Sequence, residues 1–240
     1  MGQLYLPGDH PPYPTVCLCH GIPAEQFKLS KQGYRLLAEK IRQRGFAVFA
    51  FNFRGTGESS GNLDILGWTR DLKAAIDYLY RLPEVDKSHL SLLGFSGGAG
   101  VAICVAARDK RVSAVVSCAS PAEFTRLTES YTAVSLAEHF HKIGTIRDNN
   151  FPPSAEEWFN NFKLVSPIKY VADIAPRPLL LVHGNKDDVV NISHAHRLYE
   201  KANQPKQLII INRVGHRLRR SNKVLETAIA WLKSYARISG

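Results

Sequence analysis

Six short apolar runs recur along the 240 residues, each closing on turn residues: TVCLCHG from Thr15, AVFAFNFRG from Ala47, LSLLGFSGG from Leu90, VSAVVSCASP from Val112, PLLLVHG from Pro178 and QLIIINRVGH from Gln207. A near-continuous apolar run with no polar alternation is the pattern of a strand buried on both faces. Longer amphipathic segments separate the runs and give five helical candidates: Gly33 to Arg44, Trp68 to Leu82, Gly97 to Ala107, Ser193 to Lys201 and Asn222 to Tyr235. In WTRDLKAAIDYLYRL, Leu72, Ala75, Ile76 and Leu79 fall at helical spacing and form one apolar face. Strand and helix alternating in this way imply an α/β fold, a mostly parallel central sheet with helices on both faces.

The rhythm breaks once. From Pro121 to about Ala175 no buried strand is expected, and the segment is rich in aromatics: Phe124, Tyr131, Phe140, Phe151, Trp158, Phe159, Phe162 and Tyr170. A structureless loop of that length is improbable in a compact domain, so short helices forming a small cap are expected over 121–175 of a single domain spanning 1–240. The aromatics can serve that cap and also pack onto the sheet, since a lid needs apolar contacts of its own. At the start, GQLYLP followed by GDHPPYP reads as a hairpin or an edge strand, its prolines suited to a loop.

Composition excludes several classes. With 45% apolar and 22% charged residues the chain is an ordinary globule. No apolar run approaches the roughly 18 residues of a membrane helix. The first basic residue is Lys28, so no secretory n-region is expected and a cytoplasmic location is the default. The four cysteines, Cys17, Cys19, Cys104 and Cys118, read as reduced packing residues, Cys17 and Cys19 on one face of a strand. The net charge of +10 raises the question of nucleic acid, but the one dense cluster, Arg213, Arg217, Arg219, Arg220 and Lys223, comes without a recognition motif. A solvated basic face, or a local potential that draws in anionic substrates, is the reading that remains.

The chemistry gathers where three strands end. In an open parallel sheet, reactive groups collect at the carboxyl ends of the strands. LLGFSGGAG places Ser96 at such an end, with Gly94 and Gly98 allowing a tight strand-to-helix turn and the Gly97 amide opening the next helix. That amide, at a helix N-terminus, can stabilise a developing oxyanion. LLLVHGNKDDVV supplies a carboxylate at Asp187 or Asp188, and IIINRVGHRL supplies His216 after the last strand. Ser, Asp, His in this order meets the need for nucleophile, orienting acid and base. Of the other histidines, His20 and His183 end strands and are expected to hold loops. His139, His141, His194 and His196 are expected at the surface. The pair His194 and His196 lacks a third metal ligand, so neither a metal nor any other cofactor is expected.

With these motifs the chain resembles the α/β-hydrolases of the serine-hydrolase type over nearly its whole length, above all compact carboxylesterases, cinnamoyl or feruloyl esterases, and serine peptidases related to prolyl oligopeptidase. His20-Gly21-Ile22 is similar to the family's HG loop and Arg54-Gly55-Thr56-Gly57-Glu58-Ser59 to its RGxGxS turn. The resemblance implies an oxyanion hole built from the backbone N–H of Ile22 and Gly97. It also selects Asp187, four residues after His183, over Asp188. At its start the chain departs from the family, being one opening strand short.

The expected activity is hydrolysis of carboxylic esters with small to medium apolar or aromatic acyl groups. An imidazole, with an ordinary pKa of about 6.5, takes the serine proton, and water cleaves the acyl-enzyme. The alternatives are a peptidase or aminopeptidase on short peptides, a thioesterase, and a non-enzymatic scaffold that keeps the fold. The expected partner is a small-molecule ester, with neither nucleic acid nor membrane, in a monomer or homodimer.

Overall fold

Alternate residues of a strand face opposite ways, and in the computed structural model of this chain both sets are buried. The structure describes residues 1–25 and 32–236. Seven strands form one sheet: β1 (Gly2–Tyr5), β2 (Tyr13–Cys19), β3 (Ala47–Phe51), β4 (Val85–Phe95), β5 (Ala114–Cys118), β6 (Leu179–Gly184) and β7 (Lys206–Ile211), in the order β1-β3-β2-β4-β5-β6-β7. All pairings are parallel except β1 with β3. Cys17, Leu92, Val115 and Leu181 join the core on one face; Val16, Leu93, Val116 and Leu180 join the core on the other. The four cysteines are buried thiols, Cys17 and Cys19 on the same face as expected.

The first face is covered by α2 (Ile65–Leu79), α3 (Gly97–Arg108) and α8 (Ser193–Lys201), the second by α1 (Gln32–Arg42) and α9 (Asn222–Ala236). Expected and observed helices differ mainly at their ends. The second helix begins at Ile65 and not Trp68, because the Asp64 carboxylate accepts the Leu66 N–H at 3.1 Å and caps an earlier turn. It stops at Leu79, short of Leu82, because Pro83 disfavours helical backbone in the residue before it. The chain start is the edge strand of the two expected alternatives: β1 pairs with β3 and forms no hairpin with β2. Pro14, expected in a loop, sits inside β2, where the register shifts between Tyr13 and Thr15 and no N–H is required.

Between β5 and β6 the chain is helical: α4 (Thr125–Ser130), α5 (Ala133–Lys142), α6 (Ala155–Leu164), α7 (Pro167–Tyr170) and a 3-10 turn, Val171–Ile174. Its aromatics pack edge to face, Phe140 on Trp158, Trp158 on Phe162 and Phe162 on Phe124, and all four are buried in the same cluster as the sheet. Hydrogen bonds lash the segment to the loop after β3. Trp158 Nε1 donates to the Leu63 carbonyl at 2.9 Å, Leu63 N to the Thr145 carbonyl at 2.8 Å, and Arg147 Nη1 to the Ser59 carbonyl at 2.8 Å.

Helix α3 crosses the sheet at backbone contact. A Cβ on Gly98 would collide with the carbonyl oxygens of His20 and Cys19, and one on Gly94 would lie 2.5 Å from the Ala99 Cα. These neighbours are backbone, which cannot rotate aside. Gly98→Ala is therefore expected to lower the unfolding free energy by about 1–3 kcal/mol, read as a lower guanidinium midpoint at an unchanged m-value; a wild-type midpoint would show that the crossing can relax.

Candidate active site

The tight β4–α3 turn dictates the backbone of Ser96. With α3 held against β2, the chain must reverse within one residue, and Ser96 adopts φ 53° and ψ −126°, a conformation rarely seen for a non-glycine residue. Its N–H is tied to the Cys118 carbonyl at 2.8 Å and its carbonyl accepts from Ala99 at 2.9 Å, so the side chain is lifted out of the turn. Gly21 lies against it: a Cβ there would be 3.0 Å from the Ser96 Cβ. Ile22, the next residue, meets Gly97, whose Cβ position would be 2.8 Å from Ile22 Cγ1 and 3.5 Å from Ile22 N. The Ile22 and Gly97 amides thus belong to two segments in contact beside Ser96. Among the described residues neither is taken by a backbone acceptor.

The loops after β6 and β7 are zipped to each other. Lys186 N donates to the Val214 carbonyl at 3.0 Å, Arg213 N to Asn185 Oδ1 at 2.8 Å, and Asn185 Nδ2 to Asn212 Oδ1 at 3.0 Å. Gly184 permits the contact, since a Cβ on it would strike the Val214 carbonyl. Asp187 and His216, 29 residues apart, are brought side by side: His216 Nδ1 lies 2.9 Å from Asp187 Oδ2 and 3.0 Å from Oδ1. The other ring nitrogen, Nε2, lies 3.0 Å from Ser96 Oγ. With Nδ1–H donating to the carboxylate, Nε2 is left to accept the serine hydroxyl.

The Asp187 side chain is fully buried, and its oxygens are surrounded by donors. Oδ1 accepts the N–H groups of Val189 at 2.9 Å and Val190 at 2.8 Å, and His183 Nε2 stands 3.3 Å from Oδ2. Burial works to raise its pKa, but the hydrogen bonds from His183, His216 and Val190 outweigh it and hold the carboxyl well below the usual range. Asp188 is exposed.

His183 and His20 hold loops, as their places in the sequence imply. His183 Nε2 donates to the Val190 carbonyl at 2.9 Å, closing the turn around Asp187. His20 Nδ1 donates to the Gly21 carbonyl at 2.9 Å, and Nε2 accepts the Phe53 N–H at 3.1 Å. Burial, reinforced by the charge of Arg219, brings the His20 pKa down to about 4 and keeps the ring neutral. His194 departs from the surface role expected of it. It is half-buried, and its Nδ1 accepts the Ala122 N–H at 3.1 Å, fastening α8 to the start of the helical segment. Its partner is 72 residues away in sequence, so local pattern carried no sign of the contact. Among the described residues no three His, Cys, Asp or Glu side chains converge as metal ligands would, and no helix is long and apolar enough to cross a membrane.

The BD-FAE family model matches residues 3–202, a span that contains Ser96 and Asp187 and stops short of His216. The Escherichia coli (strain K12) protein YfhR is 31% identical over 176 residues, 73% of this chain and 55% of YfhR, so the chain spans about half of that relative's length. Among solved structures, an esterase domain from a Rhodothermus marinus protein superposes with a TM-score of 0.70 at 21% identity, covering 98% of this chain and 91% of that one. Est1E from Butyrivibrio proteoclasticus, with ferulic acid bound, superposes with a TM-score of 0.73 at 17% identity, covering 99% and 94%. At these identities the likeness to solved structures is one of fold. A parallel sheet with one antiparallel edge, the serine turn after β4 and the extent of the family match lead to one conclusion: this chain belongs to the BD-FAE family and has the α/β-hydrolase fold.

Proposed function

We propose that the protein is a serine hydrolase that cleaves carboxylic esters of small to medium apolar or aromatic acyl groups through an acyl-enzyme on Ser96. The observation that carries this reading is the unbroken hydrogen-bonded line from the buried Asp187 carboxylate through His216 to Ser96 Oγ. Ser96 Oγ attacks the ester carbonyl carbon as its proton passes to His216 Nε2. Asp187 offsets the imidazolium charge and holds the ring so that Nε2 faces the serine. The oxyanion of the tetrahedral intermediate is held by the N–H groups of Ile22 and Gly97, the second aided by the positive end of α3. His216 then protonates the leaving alkoxide. In the second half water gives a proton to His216 Nε2 and attacks the acyl carbon, and the proton returns to Ser96 as the acid departs.

Ester substrates are supported by the esterase domain that shares the fold, and an aromatic acyl group by the ferulic acid bound to Est1E. Five aromatics of the 121–175 segment do not add to that preference. Phe124, Phe140, Trp158, Phe159 and Phe162 are buried in the core and committed to holding the segment down. We read this segment as a cap held down on α3, with Pro167 and Phe124 packed against Gly100.

Ser96→Ala is expected to abolish labelling by a fluorophosphonate probe and to cut p-nitrophenyl ester turnover by roughly 10⁴-fold or more. Persistent labelling in the variant would place the nucleophile elsewhere, and a preference for aminoacyl-naphthylamides over esters would favour a peptidase. Asp187→Asn, which takes the orienting charge from Nδ1–H, should cost about 10⁴-fold in kcat, whereas Asp188→Asn should stay near wild type; the reverse ranking would move the acid to Asp188.

A further inference from the structure

One charged side chain near Ser96 has no task in this reaction. Beyond His216 the chain enters a 3-10 turn, Leu218–Arg220, anchored by Leu218, which is 1% exposed and donates its N–H to the His216 carbonyl at 2.7 Å. With Leu218 turned inward, Arg219 reaches over the strand ends, and its guanidinium carbon lies 5.1 Å from the centroid of the Tyr34 ring. Tyr34 in turn packs edge-on against His20 at 6.0 Å and Phe95 at 6.3 Å, the residues that lead into Gly21-Ile22 and into Ser96. One aromatic ring therefore separates Arg219 from both segments that form the reaction centre. The electrostatics agree: its charge acts on His20 and Tyr34 in the same direction, favouring the deprotonated form of each.

Arg219 is half-buried, yet among the described residues no carboxylate lies within ion-pair distance of it. Several other arginines find carboxylate partners. Arg54 meets Asp71 at 2.6 Å, Arg111 meets Asp109 at 2.6 Å, and even the exposed Arg217 comes within 3.6 Å of Glu25. A guanidinium stacked on a ring keeps its edge N–H groups free, in the fork that matches a carboxylate. The 121–175 segment belongs to the core on the α2–α3 face, whereas Tyr34 packs with the core on the α1–α9 face.

We infer that Arg219 binds a carboxylate carried by the substrate, which makes the enzyme selective for esters that bear a free acid at one end and an apolar group at the other. This rests on the serine-hydrolase reading of Ser96. With its carboxylate at Arg219, on the α1–α9 side of the sheet, the substrate has its scissile carbonyl over Ser96 and its apolar portion on the α2–α3 side.

Two ester pairs test the inference and locate the acid: 4-nitrophenyl hydrogen glutarate against 4-nitrophenyl pentanoate, and 3-carboxyphenyl butanoate against phenyl butanoate. In at least one pair wild type should favour the anionic member, and Arg219→Gln should lower the anionic-to-neutral ratio of kcat/KM by about 10- to 100-fold. The preference should weaken as salt is raised. Arg220→Gln, at the exposed neighbour, should leave the ratio unchanged. Ser96-dependent turnover with the same ratio in wild type and Arg219→Gln overturns the inference and leaves the hydrolase reading intact. If no ester is hydrolysed, the hydrolase reading falls. Calorimetry of the anionic esters with Ser96→Ala, alone and combined with Arg219→Gln, still reports on the contact: binding that depends on Arg219 supports it, and binding indifferent to Arg219 overturns it.

Discussion

Helix α3 crosses the end of β2 with no side chain between them, and the geometry of the site descends from that contact. Gly98 abuts the His20 and Cys19 carbonyls, and Gly94 abuts Ala99. The helix axis is thereby pressed onto the sheet, and the connection from β4 has only Ser96 in which to turn. The left-handed backbone of Ser96 is the consequence, held by hydrogen bonds to Cys118, Ala99 and Gly100. The same closeness sets Ile22 against Gly97, beside Ser96. A looser crossing would relieve the strain at Ser96 and part Ile22 from Gly97.

A second constraint is electrostatic. Burying the Asp187 carboxylate is costly, and the cost is offset only because His183, His216 and the Val189 and Val190 amides all donate to it. Those donors also leave the carboxylate no other orientation. The charge stays on the Nδ1 side of the His216 ring, away from Ser96. His20, on the other flank, is kept neutral by burial and by the charge of Arg219, whose guanidinium lies over the Tyr34 ring.

Much of this was legible in the chain. Apolar runs long enough to be buried twice over foretold the strands, because a strand covered on both faces has no polar positions to alternate with. The motif around Ser96 was legible because its glycines answer to backbone geometry within a few residues. Choosing Asp187 over Asp188 was beyond local pattern: both carboxylates follow β6, and only the turn closed by His183 and Val190 points one inward. The aromatics of 121–175 were visible as a cluster, but whether they lined a cavity or filled the core depended on helices meeting across intervals that no short window contains. His194 was misplaced for the same reason, its partner Ala122 lying in a different layer of the fold.

The sequence by itself determined the order of strands and helices, the sharp turn at Ser96 and the residue types available at the strand ends, because these depend on periodicity, glycine and local sterics. Tertiary structure alone decided that Asp187, His216 and Ser96 form one hydrogen-bonded line, that Ile22 faces Gly97, and that Arg219 lies over the Tyr34 ring. Such relations are distances between segments far apart in the chain, set by how closely helices and strands pack, and no local preference encodes them.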